Sequence, residues 1–386
     1  MASEAPDLIA KARAFQPQLK ARAAEIEAGR QLPDDIARGF ADAGFYRLCV
    51  PREAGGLEID PLTLSQVIET IAYGDASAGW CVMIGSTTGL CAAYVPTADA
   101  AAIFGQPHSI VAGVFAPRGR ADDMGDHYMV RGRWQWGSGS PNAQYIMGGA
   151  VIHRDGQPVL MENGAPVSRM MIARKEDVTL HDNWQVAGLS GTGSQDFSFD
   201  NLRIEKKMSV GLITDRPLKR PLYAFPVFGL LAAGVASVML GIGRRAIDEL
   251  VHLAREKTPE GHRRPLAQRS RTQEDVAAAE ASLGAARAYL HQAIGEAYGA
   301  AQRDGKIGMD DRARLRMAAS HAARVAINVT DAMHLLAGGS AVYASSPFQR
   351  LLRDVHVASQ HMMVGTPTFE LAGRVILGVE ADLSQL

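Results

Sequence analysis

The stretch HYMVRGRWQW, residues 127–136, sets Tyr128, Val130, Gly132, Trp134 and Trp136 at every second position. A period of two marks a strand with one covered face. SQDFSFD, residues 194–200, repeats it with Phe197 and Phe199. Clusters of Gly, Asn and Asp interrupt these runs at short intervals. Strands closed by turns so often predict a small antiparallel barrel or sandwich over residues 109–210.

Outward from this block, the period changes on both sides. Residues 1–108 are Ala- and Glu-rich and read as helices over 9–28, 34–43 and 64–73, with a further helix opened by Asp75-Ala76-Ser77. Pro17 is placed to kink or divide the first, and Gly44 to stop the second. Between them and the third, Pro51, Gly55, Gly56 and Pro61 make a surface loop. Residues 218–386 turn helical again, and no proline occurs between Arg271 and Pro347. The segment 272–303 reads as one long amphipathic helix, with Thr272 as its cap and Asp275 three positions on. Residues 310–336 read as another, ended by Gly338-Gly339. Long antiparallel helices pack best as a four-helix bundle. The chain is thus an α+β protein in three domains: helical, β, helical.

Composition removes several classes of function. The chain has 386 residues, 40 basic against 41 acidic, a net charge of −1, and 6% aromatics. Nothing there builds a nucleic-acid surface. Cys49, Cys81 and Cys91 form neither a disulfide framework nor a zinc pattern, and the eleven histidines are scattered, so no metal site is expected. MASEAPDLIAKARAF has no basic region followed by an apolar one, which predicts a cytoplasmic protein without a signal peptide. Residues 221–243 carry no charge and are long enough to span a membrane. The glycines, serine and proline inside the run predict instead a helix buried on all sides, and no membrane partner. GIGRRA, residues 241–246, fits the dinucleotide fingerprint but lies in a helical run without the strand that the motif needs. No credible nicotinamide site is left.

Several segments resemble the acyl-CoA dehydrogenase superfamily, in matching order along essentially the whole chain. GFYRLCVPREAGGLEID (residues 44–60) resembles its N-terminal glycine loop. NWQVAGLSGTGSQDFSFDNLRI (183–204), with Trp184, Gly188, Gly191, Thr192, Ser194 and Asp196, resembles its barrel-end segment. GGSAVYASSPFQRLLRDVHVASQH (338–361) resembles its last flavin-facing helices. The dehydrogenases of that superfamily remove a proton with a glutamate near the C-terminus or an acid on the first bundle helix. Here the matching positions hold Val364 and Phe228, and neither takes a proton.

The resemblance therefore points to the superfamily's other branch, the oxygenase components of two-component flavin monooxygenases. Such enzymes take reduced FMN or FAD and O2, form a C4a-hydroperoxide, and need a dry pocket with a few hydrogen-bonding groups over the flavin. GRWQWGSGSPNAQYIMGGA (132–150) and RDVHVASQH (353–361) resemble two segments of that branch, and carry over Ser138 and His361 as the catalytic pair. By the same resemblance Trp136, Ser138, Gly139, Gly191, Thr192 and Ser194 hold the cofactor. Arg263 does so from a neighbouring subunit, although a solvated loop explains the basic cluster equally well. Trp80, Ser86, Thr87, Phe228 and Val364 line the substrate pocket. The histidine that the branch often carries after its Gly-Trp pair is missing here, and Asn142 replaces another. That favours an indole, another electron-rich heteroaromatic or a sulfide over a simple phenol. A separate NAD(P)H-dependent flavin reductase and assembly as a homotetramer, or dimer of dimers, are implied as well. On residue type alone, Ser138 closes a turn equally well, His361 is a core histidine, Trp134 is core, and Arg353-Asp354 is a structural ion pair. An acyl-CoA dehydrogenase that oxidises a thioester with FAD through a displaced base stays open, as does a scaffold that has kept only the fold.

Overall fold

The computed structural model describes residues 4–380. Six helices come first: α1 (Glu4–Ala21), α2 (Ala23–Gly29), α3 (Asp34–Asp42), α4 (Pro61–Gly74), α5 (Ala76–Thr88) and α6 (Thr97–Ile103). α1 runs through Pro17 and breaks only at Arg22. Gly44 follows α3 in the left-handed region, φ 82°, which a glycine adopts without steric cost. Asp60 caps α4 by accepting from the amides of Leu62 and Thr63, and Asp75 caps α5 by accepting from that of Ala78.

The strands are β1 (Val111–Asp123), β2 (His127–Gly137), β3 (Tyr145–Arg154), β4 (Gln157–Pro158), β5 (Ser168–Arg174), β6 (Thr179–His181), β7 (Gln195–Glu205) and β8 (Ser209–Val210). They form one sheet in the order β6-β7-β2-β1-β3-β5-β8, with β4 on β3. The sheet is mixed rather than antiparallel throughout, since β1 pairs with β3 in parallel, Val111 opposite Tyr145. The hairpin partner of β1 is β2, so β3 returns on the other edge of β1 in the same direction. Alternation within one strand shows which face is covered and is blind to the direction of its neighbour. Trp134 is the centre of the covered face. It is fully buried, stacks on Phe197 at 5.2 Å and donates Nε1–H to the carbonyl of Gly149 at 2.7 Å, so it is core, as its type suggested.

The last region holds α7 (Pro221–Ala224), α8 (Val227–Glu256), α9 (Ser270–Asp304), α10 (Met309–Ala337), α11 (Pro347–Ala358) and α12 (Pro367–Leu377). α9 starts at Ser270, two residues before the expected cap, and Thr272 is buried within its first turn. α8 is long and apolar enough to cross a bilayer, yet 83% of its apolar window is buried, against α4, α5, α9, α10 and α11. GIGRRA lies inside it, and a Cβ on Gly241 would meet the carbonyl of Glu69 at 2.6 Å. That glycine serves helix packing rather than a nucleotide.

Candidate active site

At the end of β2 the ladder with β7 shifts register between Trp134 and Gly137. Trp136, at φ 66°, is turned out of the sheet and is 64% exposed. A tryptophan at positive φ with an uncovered face is held in a sparsely populated conformation, a feature that gathers at functional sites. Ser138 follows, buried, and Gly139 makes the turn at φ 77° while donating its N–H to the carbonyl of Thr192 at 2.8 Å.

Ser138 belongs to a run of hydroxyls whose direction can be read. Thr192 donates to the carbonyl of Leu189 at 2.7 Å. Its oxygen, 2.7 Å from Ser194 Oγ, is then the acceptor of that contact. Ser194 is consequently the acceptor for Ser138, also at 2.7 Å. Trp80, on α5, donates Nε1–H to Ser138 Oγ at 3.0 Å. Each hydroxyl has one proton, so all are spent along the chain and Ser138 is left with a free lone pair.

His361 also packs against Trp80, its ring edge-on at 5.6 Å between centroids. Nδ1 accepts the amide N–H of Met363 at 3.3 Å. Burial, then the charge of Arg316, lower its pKa to about 4, so at neutral pH the ring is uncharged and its hydrogen sits on Nε2. Nε2 makes no hydrogen bond among the described residues and is a donor ready for a ligand. Thus one indole is flanked by an acceptor, Ser138, and a donor, His361.

A latch holds the loop that bears these hydroxyls. Asp354 on α11 is buried and takes the N–H of Leu189 at 2.6 Å, while Arg353 donates to the carbonyl of Ala187 at 2.7 Å and pairs with Glu27. Arg353 and Asp354 are structural, but they do not pair with each other. Burial, with Asp75 close by, raises the Asp354 carboxyl to about 7.

An exposed indole face, a hydroxyl lone pair and an imidazole N–H fit a reduced flavin, whose ring has broad apolar faces and carries its added hydrogens on nitrogen. The remaining comparisons agree. Residues 3–98 match the family "Acyl-CoA dehydrogenase, N-terminal domain" and residues 233–366 match "Acyl-CoA dehydrogenase, C-terminal domain". An indole-3-acetate monooxygenase of Pseudomonas putida is 31% identical over 93% of this chain and 90% of its own. The chain belongs to the acyl-CoA dehydrogenase superfamily, in its flavin-dependent monooxygenase branch. The oxygenase subunit HsaA of a flavin-dependent monooxygenase from Rhodococcus jostii is 26% identical over 93% of this chain and 97% of that one. Among solved structures, XiaF from Streptomyces, in complex with FADH2 and glycerol, superposes with a TM-score of 0.88 at 24% identity, over 98% of this chain and 97% of that one.

Val364 and Phe228 are the residues that the resemblance sets at the dehydrogenases' base positions. Val364 is buried in the short turn after His361, and Phe228 is half-buried at the start of α8. No carboxylate hydrogen-bonds to Ser138, Trp80 or His361 among the described residues. Other expected residues fare differently. Ser86 and Thr87 donate back to α5 carbonyls, Ser86 to Val82 at 2.6 Å and Thr87 to Met83 at 2.8 Å, which leaves the pocket no free hydroxyl proton from them. Gly191 is small because a Cβ there would meet Ile26 Cγ2 at 2.2 Å, a packing reason rather than a cofactor one. Arg263 is exposed in the loop between α8 and α9. Asn142 donates to the carbonyl of Leu32 and to Asp34, and so ties β-domain to helices.

One residue at the site is absent from the sequence-based expectations: Arg316 of α10, 2% exposed. Its signal was available. Arg316 stands three, four and seven residues before Ala319, Ser320 and Ala323, all buried, so a charge falls on the covered stripe of a helix.

Proposed function

We propose that this protein is the oxygenase component of a two-component flavin-dependent monooxygenase, acting on a small aromatic or heteroaromatic substrate, indole-like or phenolic. Reduced FMN or FAD, when bound, supplies the two electrons with which one atom of O2 goes to the substrate and the other to water. A separate NAD(P)H-dependent reductase delivers it. The observation that carries this reading is the pair around Trp80: a serine with only a lone pair to offer and a neutral histidine with only an N–H to offer.

The residues divide the work. Trp136 gives an apolar face for the ring. The spent hydroxyl run makes Ser138 an acceptor, which matches a ring N–H of the reduced cofactor and mismatches the bare nitrogen of the oxidised one. His361 donates from Nε2 to oxygen near the ring and, being uncharged, can take a substrate proton in return. Trp80, Phe228 and Val364 exclude water, which limits wasteful loss of peroxide. We further propose a homotetramer. In its support, Leu335 on α10, Val342 and Tyr343 in the connection to α11, and Ile376 and Leu377 on α12 are exposed apolar side chains.

Stopped-flow mixing of the protein and chemically reduced FMN or FAD with oxygenated buffer tests the proposal. The expected result is a long-lived absorbing species between reduced and reoxidised flavin, shortened in His361→Ala and in Ser138→Ala. Reoxidation as in free flavin, with bound flavin instead reduced by an acyl-CoA, would transfer the protein to the dehydrogenase reading.

A further inference from the structure

A desolvated charge left alone costs several kcal/mol, so a buried guanidinium normally has a carboxylate beside it. Of the two buried arginines among the described residues, Arg245 follows the rule and pairs with Glu249 at 3.2 Å. Arg316 does not. Its Nη1 reaches the carbonyl of Phe228 at 3.2 Å and the sulfur of Met363 at 2.9 Å, and its Nη2 reaches the hydroxyl of Thr368 at 3.4 Å. Nε–H is buried and has no partner. A thioether is a weak acceptor, and the contact to Thr368 is long. Burial brings the guanidinium only down to about 10, so it stays charged at neutral pH, with no anion at hand.

The residues that hold it are residues of the site. Phe228 lies in the first turn of α8, where the resemblance sets one of the dehydrogenases' base positions. Met363 supplies the amide that fixes the tautomer of His361. The charge of Arg316 is felt at His361 itself.

We propose that Arg316 is an anion subsite and that the substrate is an aromatic carboxylate, its carboxyl group on Arg316 and its ring toward His361 and Trp80. The ring's placement rests on the oxygenase reading above. A carboxylate supplies what the arginine lacks: two coplanar acceptor oxygens, matched to the fork that Nε and an Nη present. A neutral arene would leave Nε–H buried and unpaired. The other anionic source is the phosphate of the flavin, which the test separates.

Equilibrium dialysis without oxygen, at saturating reduced FMN or FAD, compares indole-3-acetate with indole-3-acetamide, which has the same shape and no charge. Wild-type protein is expected to hold the acid about 30-fold more tightly or better, the scale of a buried charge pair. Arg316→Gln abolishes that preference, Arg316→Lys keeps part of it, and flavin affinity is unchanged in both. Equal affinity of the wild type for acid and amide, or binding of neither, overturns the subsite even where a variant fails to fold. So does a variant that loses flavin affinity and keeps the acid preference. Because oxygen is excluded, a wild type that fails the stopped-flow test yet prefers the acid removes the oxygenase reading alone.

Discussion

Two side chains carry the proposed chemistry, and each has a separable readout. Ser138→Ala removes the acceptor of Trp80 Nε1–H and leaves that donor buried and unpaired, a loss of about 1–3 kcal/mol. Thermal unfolding without flavin measures it, and an unchanged melting temperature would show that the indole finds another acceptor. His361 adds a pH dependence. Its native pKa of about 4 lies below the value of about 6.5 in an unfolded chain. Between those two values the unfolded state binds more protons, so acidification weakens the fold, by about 3 kcal/mol in full. His361→Gln should make the loss of stability between pH 6.5 and pH 4 shallower, as denaturant titrations across that window would show. Sequence reading named both residues through resemblance, and the structure sets both against Trp80. It could not find the direction of the hydroxyl run, which depends on Trp80, Ser138 and the Thr192–Ser194 turn meeting from three separate stretches of chain. It also passed over Arg316, whose helical spacing shows burial but not the missing counter-charge.

Among the elements, α11 is a clamp rather than a catalytic helix. It holds the loop 187–194 through Asp354 and Arg353, and that loop carries Thr192 and Ser194. The raised Asp354 carboxyl works against the fold once it ionises. A native pKa of about 7, above the unfolded value, means its stabilising contribution is complete in acid and is lost as pH rises through 7. Asp354→Asn keeps an acceptor for Leu189 and never ionises. Its melting temperature, relative to wild type, should therefore climb from about pH 4.5 to pH 7 and level off above, and a constant difference would mean that Asp354 ionises freely. At the same loop, Gly191→Ala drives a methyl into Ile26, and overpacking of this kind costs about 1–3 kcal/mol. Element existence and type were legible because periods of two and 3.6 persist over long runs. The parallel pairing of β1 with β3 was not, since it is a property of two strands and a connection. The start of α9 also escaped, because Ser270 and Arg271 fit a loop or a first turn equally well.

On the scale of the whole molecule, the packed apolar helix α8 lies among the N-terminal helices and the bundle, and joins the two helical regions into one core. The order of helices, strands and helices was readable from the changes of period along the chain, and the superfamily from segments spread over it. The proposed tetramer rests on features of the outer surface. Val342 and Tyr343 are 69% and 67% exposed, beside Leu335 at 77%. Val342→Asp with Tyr343→Asp should shift sedimentation from a tetramer to smaller species, whereas an unchanged profile would place the interface elsewhere.

The outward turn of Trp136 has an optical consequence. The chain has four tryptophans, and Trp80 and Trp134 are buried while Trp184 is half-covered. Emission at the red edge of the intrinsic fluorescence therefore comes mainly from Trp136. A chromophore settling on that indole would quench the red component, and with it the blue emission of Trp80, which borders Ser138 and His361. The protein thereby carries a built-in gauge of site filling, readable by titration without a label and before any turnover.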